Sequence, residues 1–154
     1  SGEGTLMFQV VGTRYEPWSR PPQQVGSLGL EVSYDRAQLR VGEILRMNVR
    51  ITNRLAEGQL DQVIVSLATA PGMVPLGDDL ERLVSAGAVQ RFERSDRQIT
   101  LYLMGLQPME SRDLSIGLQA TRALSAQNPP SRAYSYYNPQ DGVSTGASSV
   151  IVDP

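Results

Sequence analysis

The chain has 154 residues, 40% of them hydrophobic and 19% charged, with a net charge of −2 at pH 7. That length suits one domain with a sizeable core plus a short appendage, and the charge balance, with no Lys/Arg-rich block, excludes a nucleic-acid footprint. No apolar run exceeds a few residues, so no helical membrane span is expected.

Missing residue types narrow the chemistry further. There is no Cys, hence no disulfide, thiolate nucleophile or sulfur-ligated metal. There is no His, the usual general base and the commonest transition-metal ligand. All fourteen basic residues are Arg, which excludes Schiff-base chemistry at lysine. Carboxylates, hydroxyls and guanidinium groups remain, and the expectation is a domain that is not an enzyme and takes no cofactor.

Ser1-Gly2-Glu3-Gly4 leads straight into TLMFQVVG (5–12), a strand pattern, and the chain reads as a piece of a longer protein. YEPWSRPPQQ (15–24) is Pro-rich and reads as a linker, because proline donates nothing to a ladder and stiffens the backbone. These features predict a boundary that separates residues 1–24 from a domain over 25–154. Trp18, inside the linker, reads equally as an anchor on this domain or as part of a seam with a preceding one.

LGLEVSYD (28–35) alternates Leu28, Leu30, Val32 and Tyr34 on one face, the mark of a half-buried strand. ILRMNVRITN (44–53) alternates more cleanly still. Leu45, Met47, Val49 and Ile51 face the core, while Arg46 and Arg50 face water, with Arg54 continuing the same stripe. LDQVIVSLATA (60–70) is apolar enough for a strand covered on both faces. AVQRFER (88–94), QITLYLMGL (98–106), DLSIGLQATRA (113–123), SRAYSYYNP (131–139) and ASSVIV (147–152) complete the series. Glu57-Gly58, Ser95-Asp96, Asn128-Pro129-Pro130 and Asp141-Gly142 supply the turns. Within SRAYSYYNP, alternation puts Tyr134 and Tyr136 on one face and Tyr137 on the other, which predicts core and cross-strand packing.

One segment breaks the pattern. In PGMVPLGDDLERLVSAG (71–87) the apolar residues fall at Leu76, Leu80, Leu83 and Val84, a helical spacing. Asp78 with Glu81 three residues on predicts a capping box, and Gly87 stands where a left-handed residue ends a helix. The helix, over about 77–86, would present Asp79, Glu81, Arg82 and Ser85 to solvent and cover an edge or end of the sheets. The expected fold is all-β: an antiparallel β-sandwich of eight to nine strands with this single α-helix in a crossover connection. Asp35, Glu43, Asp61, Asp141 and Asp153 form no calcium-loop pattern, and no metal is expected.

PGMVPLGDDLERLVSAGAVQRFE, then ITLYLMGL, then PPSRAYSYYNP, in that order and spacing, resembles the C-terminal receptor-binding domain of alpha-2-macroglobulin-like proteins, a family with complement components and bacterial members. GEGTLMFQVVGTRY looks like the strand leaving a preceding CUB-type domain. The resemblance implies a non-catalytic β-sandwich in a secreted or cell-envelope parent that traps proteases. Cleavage of a bait segment triggers collapse of such a parent, and many form a thioester between a Cys and a Gln. With no Cys here, any thioester lies outside this chain. The implied partners are the thioester and CUB regions of the same parent and, through the parent, a protease.

In the vertebrate inhibitors two lysines four residues apart on this helix engage a receptor. The matching positions here hold Gly77 and Glu81, beside Asp78 and Asp79. Acidic receptor repeats would be repelled, and Arg82 offers a fork where a compact ammonium is wanted. The expected interaction surface is instead the outer helix face, Asp79, Glu81, Arg82 and Ser85, with the stripe Arg46, Arg50 and Arg54. The rival reading is a stand-alone structural or adhesion sandwich of a surface protein.

Overall fold

The computed structural model describes residues 26–154. The strand expected over 5–12, the linker over 15–24 with Trp18, and the boundary at residue 24 lie outside the described residues.

Among the described residues twelve strands and one helix follow in chain order: β1 (Leu28–Tyr34), β2 (Gln38–Arg40), β3 (Ile44–Asn53), β4 (Leu60–Ala68), β5 (Met73–Pro75), α1 (Gly77–Ser85), β6 (Arg91–Ser95), β7 (Gln98–Leu106), β8 (Ser111–Ala120), β9 (Leu124–Asn128), β10 (Arg132–Ser135), β11 (Asn138–Ser144) and β12 (Ser148–Asp153). One sheet has the order β1-β3-β8-β5, the second β11-β10-β4-β7-β6, and a small third sheet β2-β12-β9. All the strand pairs are antiparallel except β2 with β12, which run parallel. The architecture is the expected all-β sandwich with one helix between strands of opposite sheets.

Alternation drives the two large sheets together. From the first sheet Leu28, Leu30, Leu45, Met47, Val49, Ile51, Ile116 and Leu118 are buried, and from the second Val63, Val65, Leu67, Ile99, Leu101 and Leu103. Removing each such side chain from water contributes about 1.5–3 kcal/mol, so the apolar faces of β3, β4 and β7 dominate the fold. β4 is the middle strand of its sheet, and its run of Val63, Ile64 and Val65 is buried on both faces, as its unbroken apolar sequence predicts.

Strand number exceeds the expected eight to nine because β2 and β5 are too short to carry a period and β9 alternates over only five residues, with Leu124 its one large apolar side chain. The first two have three residues each. Each forms only because a longer neighbour offers an edge to pair with: β2 and β9 flank β12, and β5 pairs with β8. The segment 131–139 is also not one strand. It turns back at Tyr136 and Tyr137, and Ser135 pairs with Asn138 across the turn. Asp141-Gly142, expected as a turn, lies inside β11, with Gly142 opposite Tyr134.

Helix α1 closes the open side of the sandwich between β8 and β6, which it touches from the two sheets. Leu80 is fully buried, and Leu83 packs against the same core. Its C-terminus forms the expected left-handed stop. Gly87 has φ of +71°, its N–H donates to the Val84 carbonyl at 2.9 Å, and the Ala88 N–H donates to Leu83 at 3.0 Å. The N-terminus differs from expectation. Leu76 is the N-cap, no side chain caps it, and Asp78 lies within the first turn, so the Asp78–Glu81 capping box does not form. The reason is that β5 pairs with β8 up to Pro75 and the Leu76 N–H still donates to the Gly117 carbonyl at 2.8 Å. The helix therefore starts directly off a strand.

Gly117 of β8 makes this close approach possible. A Cβ built there would lie 2.7 Å from Leu76 Cδ1 and 3.1 Å from Ile44 Cγ2. Gly117→Ala should cost about 1–3 kcal/mol by overpacking. In urea unfolding the midpoint should fall with an unchanged m-value, and an unchanged midpoint would refute this account of the helix seat.

Candidate functional site

The residues singled out by sequence fall on two surfaces, the helix and the outer face of the first sheet. Arg46 and Arg50 point outward from β3, as alternation requires, and Arg54 is exposed just beyond the strand end. On the helix Glu81, Arg82 and Ser85 are exposed. The Ser85 hydroxyl donates back to the Glu81 carbonyl at 2.9 Å.

Asp79 departs from expectation: it is buried, its side chain only 5% exposed. Its carboxylate accepts the Gly117 N–H at 2.8 Å, Arg46 Nη1 at 2.6 Å and Arg82 Nη1 at 3.0 Å. The physical cause is the short length of β5. Beyond Pro75 the chain turns into the helix, and the amide of Gly117 on β8 needs an acceptor that β5 no longer supplies. Asp79 provides it, and a buried carboxylate in turn draws in two cations. Burial alone would raise the Asp79 pKa. The Gly117 amide and the Arg46 and Arg82 guanidinium groups outweigh it and hold the carboxyl below the ordinary value of 3.8.

Two predicted surface groups, Arg46 and Arg82, are thus tied to a residue predicted to lie beside them on the surface. Two of the three stripe arginines, Arg46 and Arg50, are paired with acids. Arg50 forks onto Asp113 of β8 at 2.7 and 3.1 Å, both side chains more than half exposed to water. That pair lowers the Asp113 pKa, chiefly through the hydrogen bond from Arg50. Asp78 and Glu81 are the exposed acids of the helix, and Gly77 and Glu81 fill the positions where the resemblance places receptor lysines.

Sequence reasoning missed the aromatic tip. Tyr136 and Tyr137 are 51% and 74% exposed, not packed in the core. Their rings meet edge to face with centroids 5.2 Å apart. Period-2 alternation misled here, while Asn138-Pro139 directly after them was the turn signal. Tyr134 alone behaves as expected, half-buried on β10 with the Arg132 guanidinium 5.3 Å from its ring centre. Among the described residues no group of three acidic, His or Cys side chains is arranged to hold a metal. No helix among them is long and apolar enough to cross a membrane.

Residues 59–146 match the family described as the A-macroglobulin receptor binding domain, more than half of the chain. The chain belongs to that family. The match spans β4 to β11 and includes the helix, the Asp79 contacts to Gly117 and Arg82, and the tyrosine tip. The fold also matches native alpha-2-macroglobulin from Escherichia coli, in a structure from domain MG7 to the C-terminus, with a TM-score of 0.72 at 18% identity, over 90% of this chain and 25% of that one. Alpha-2-macroglobulin from Salmonella reacted with methylamine matches with a TM-score of 0.71 at 16% identity, over 88% of this chain and 10% of that one. The Escherichia coli protein activated by porcine elastase matches with a TM-score of 0.72 at 16% identity, over 90% and 14%. The chain therefore spans a quarter or less of these proteins. No curated protein sequence matches it.

The buried carboxylate makes a signed pH prediction. Because the folded pKa of Asp79 lies below its unfolded value, its contribution is complete above 3.8 and is lost as pH falls through the lower folded value. Asp79→Ala should cost about 2–3 kcal/mol near neutral pH, from lost charged hydrogen bonds and an unpaired Gly117 amide. The gap from the parent should narrow below the ordinary aspartate pKa. Arg50→Ala, which breaks an exposed pair, should leave stability unchanged within error. Urea titrations at several pH values read both.

Proposed function

We propose that this chain is a non-catalytic docking domain of an alpha-2-macroglobulin-like, protease-trapping protein that acts in the cell envelope or outside the cell. The observation that carries this is the family match over 59–146 within a fold whose counterparts are small parts of much longer alpha-2-macroglobulin chains. The residue types available to it favour no catalysis, since His, Cys and Lys are all missing from the chain.

Its role is to dock against the thioester and CUB regions of the parent and to shift when the bait is cut. Such a shift requires contacts that differ between the two states. The outer helix residues Glu81, Arg82 and Ser85, with Arg50 and Arg54, form one docking face. Asp79 and Arg46 support it from beneath by fixing the helix. The exposed Tyr136–Tyr137 pair forms a second contact, because paired aromatics at a hairpin tip are the kind of anchor that neighbouring domains cover. A receptor contact of the vertebrate kind is not part of this role, as Gly77 and Glu81 carry no cation.

The test uses the intact parent. Incubation with a serine protease followed by denaturing mass analysis should give a covalent adduct, abolished by methylamine pretreatment, or compaction of the parent on bait cleavage. In the uncleaved parent, Tyr136→Ser with Tyr137→Ser should speed proteolysis at the junction preceding this domain. The melting temperature of the domain itself should stay unchanged. A parent that gives neither adduct nor compaction, with a junction indifferent to the tyrosines, would leave the adhesion reading in its place.

A further inference from the structure

At the corner of the sandwich farthest from the tyrosine tip lies a groove of about 590 Å³, lined by β5, the β6–β7 turn and the segment after β8. The two corners are opposite in both directions. β10–β11 and β6 are at opposite edges of the five-stranded sheet. The tip bonds the start of β4 through the Tyr136 N–H to Gln62, whereas the β6–β7 turn bonds its end through the Thr69 N–H to Arg97. Arg94, Arg97 and Arg122 line the groove against a single carboxylate, Asp96. Elsewhere Arg46, Arg50, Arg82, Arg91 and Arg112 all meet acids within 3.1 Å. The three groove guanidinium groups meet none among the described residues.

The arginines are also positioned. Gly72, with φ of +80°, lets the stem of Arg122 lie directly on its backbone, where a Cβ would come 2.7 Å from Arg122 Cγ. The Thr121 N–H and hydroxyl both donate to the Gly72 carbonyl at 2.8 Å and hold that approach. The Arg94 guanidinium lies by the first residue of α1, with Nη1 3.8 Å from a Cβ built on Gly77. Strand addition is not what the groove offers on its β5 side. Pro75 has no N–H, and the Met73 N–H is already given to the Ala70 carbonyl. Recognition must come from side chains.

We propose that this groove binds an acidic peptide segment whose carboxylates alternate with apolar residues. Each guanidinium offers the planar fork that matches a carboxylate, and Val74, 46% exposed in the groove, offers an apolar contact between them. The volume lies in the range of about 300–1,000 Å³ that accommodates a ligand of some size. A long polyanion suits it less: the chain carries a net charge of −2, and the exposed Asp78 and Glu93 lie on the elements beside the groove, α1 and β6.

The test is fluorescence anisotropy of the full chain with a labelled Glu-Val-Glu-Val-Glu-Val peptide at low salt. Saturable binding is expected, at least tenfold weaker for Arg94→Ala/Arg97→Ala/Arg122→Ala and likewise for the single reversal Arg97→Glu, and lost for the Gln-Val counterpart. All three arginines are exposed, so the melting temperature of each variant should match the parent and serves as the folding check. Tyr136→Ser/Tyr137→Ser should leave peptide binding unchanged, which separates this site from the docking reading. Absence of saturable binding, equal binding by the triple variant, or polyphosphate or heparin binding more tightly than the peptide at the same arginines would overturn the proposal.

Discussion

The placement of the helix depends on one hydrogen bond acceptor, the carboxylate of Asp79. A sandwich whose first sheet ends in a three-residue strand leaves an amide of its penultimate strand, Gly117, facing into the crossover. An unpaired buried amide costs about 1–3 kcal/mol. A carboxylate answers it with a charged hydrogen bond at 2.8 Å, but then needs cations of its own, and Arg46 and Arg82 supply them. One from the sheet and one from the helix close the same point, so the helix is bound by polar contacts on its first turn and by Leu80 and Leu83 along its face. The absence of a side-chain N-cap is consistent with this: the helix start is held by the sheet.

Those contacts also redistribute charge. Arginines that look like a free stripe in sequence are spent inside the molecule: Arg46 on the helix clamp, Arg50 on Asp113 across β8. What remains available is separated in space. The aromatic pair stands at one corner, the exposed acids of the helix along the closed edge, and the unpaired arginines of the β6–β7 turn and its neighbours at the far corner. A domain with three chemically different surfaces suits a part of a larger chain, where several neighbours are met at once and only the differences between states carry information.

The Tyr136–Tyr137 turn shows how a local rule can mislead where tertiary pairing competes with it. The tyrosines continue an alternation that begins correctly at Ala133 and Tyr134. β10, however, is bounded by β4, whose pairing with it ends at Val63 opposite Ser135. Beyond that point only the Tyr136 N–H still reaches β4, at the Gln62 carbonyl; the chain reverses there, and the two rings that alternation would bury emerge into solvent. Asn138-Pro139 carried the opposing signal, weaker over its two residues than the aromatic run before it.

By itself, the amino-acid sequence determined the elements whose signal is repeated many times over: β1, β3 and β7 through period-2 burial, β4 through its unbroken apolar run, α1 through its 3.6-residue spacing, and the stop at Gly87. With these came the all-β class, the order of motifs and the exclusion of Cys, His and Lys chemistry. Those are properties of single segments, set by side chains that act on their own backbone or on one face. Tertiary structure alone decided the rest. β2 and β5 are too short to have a period, β9 has only one large apolar residue to mark one, and all three exist because an edge is offered to them. Of Asp78 and Asp79, adjacent and identical in type, one is solvated and the other buried, because only the second reaches the Gly117 amide. The free arginines at the groove are distinguished from their paired counterparts in the same way, by what lies across space from each, and that distance is set by the packing of the two sheets.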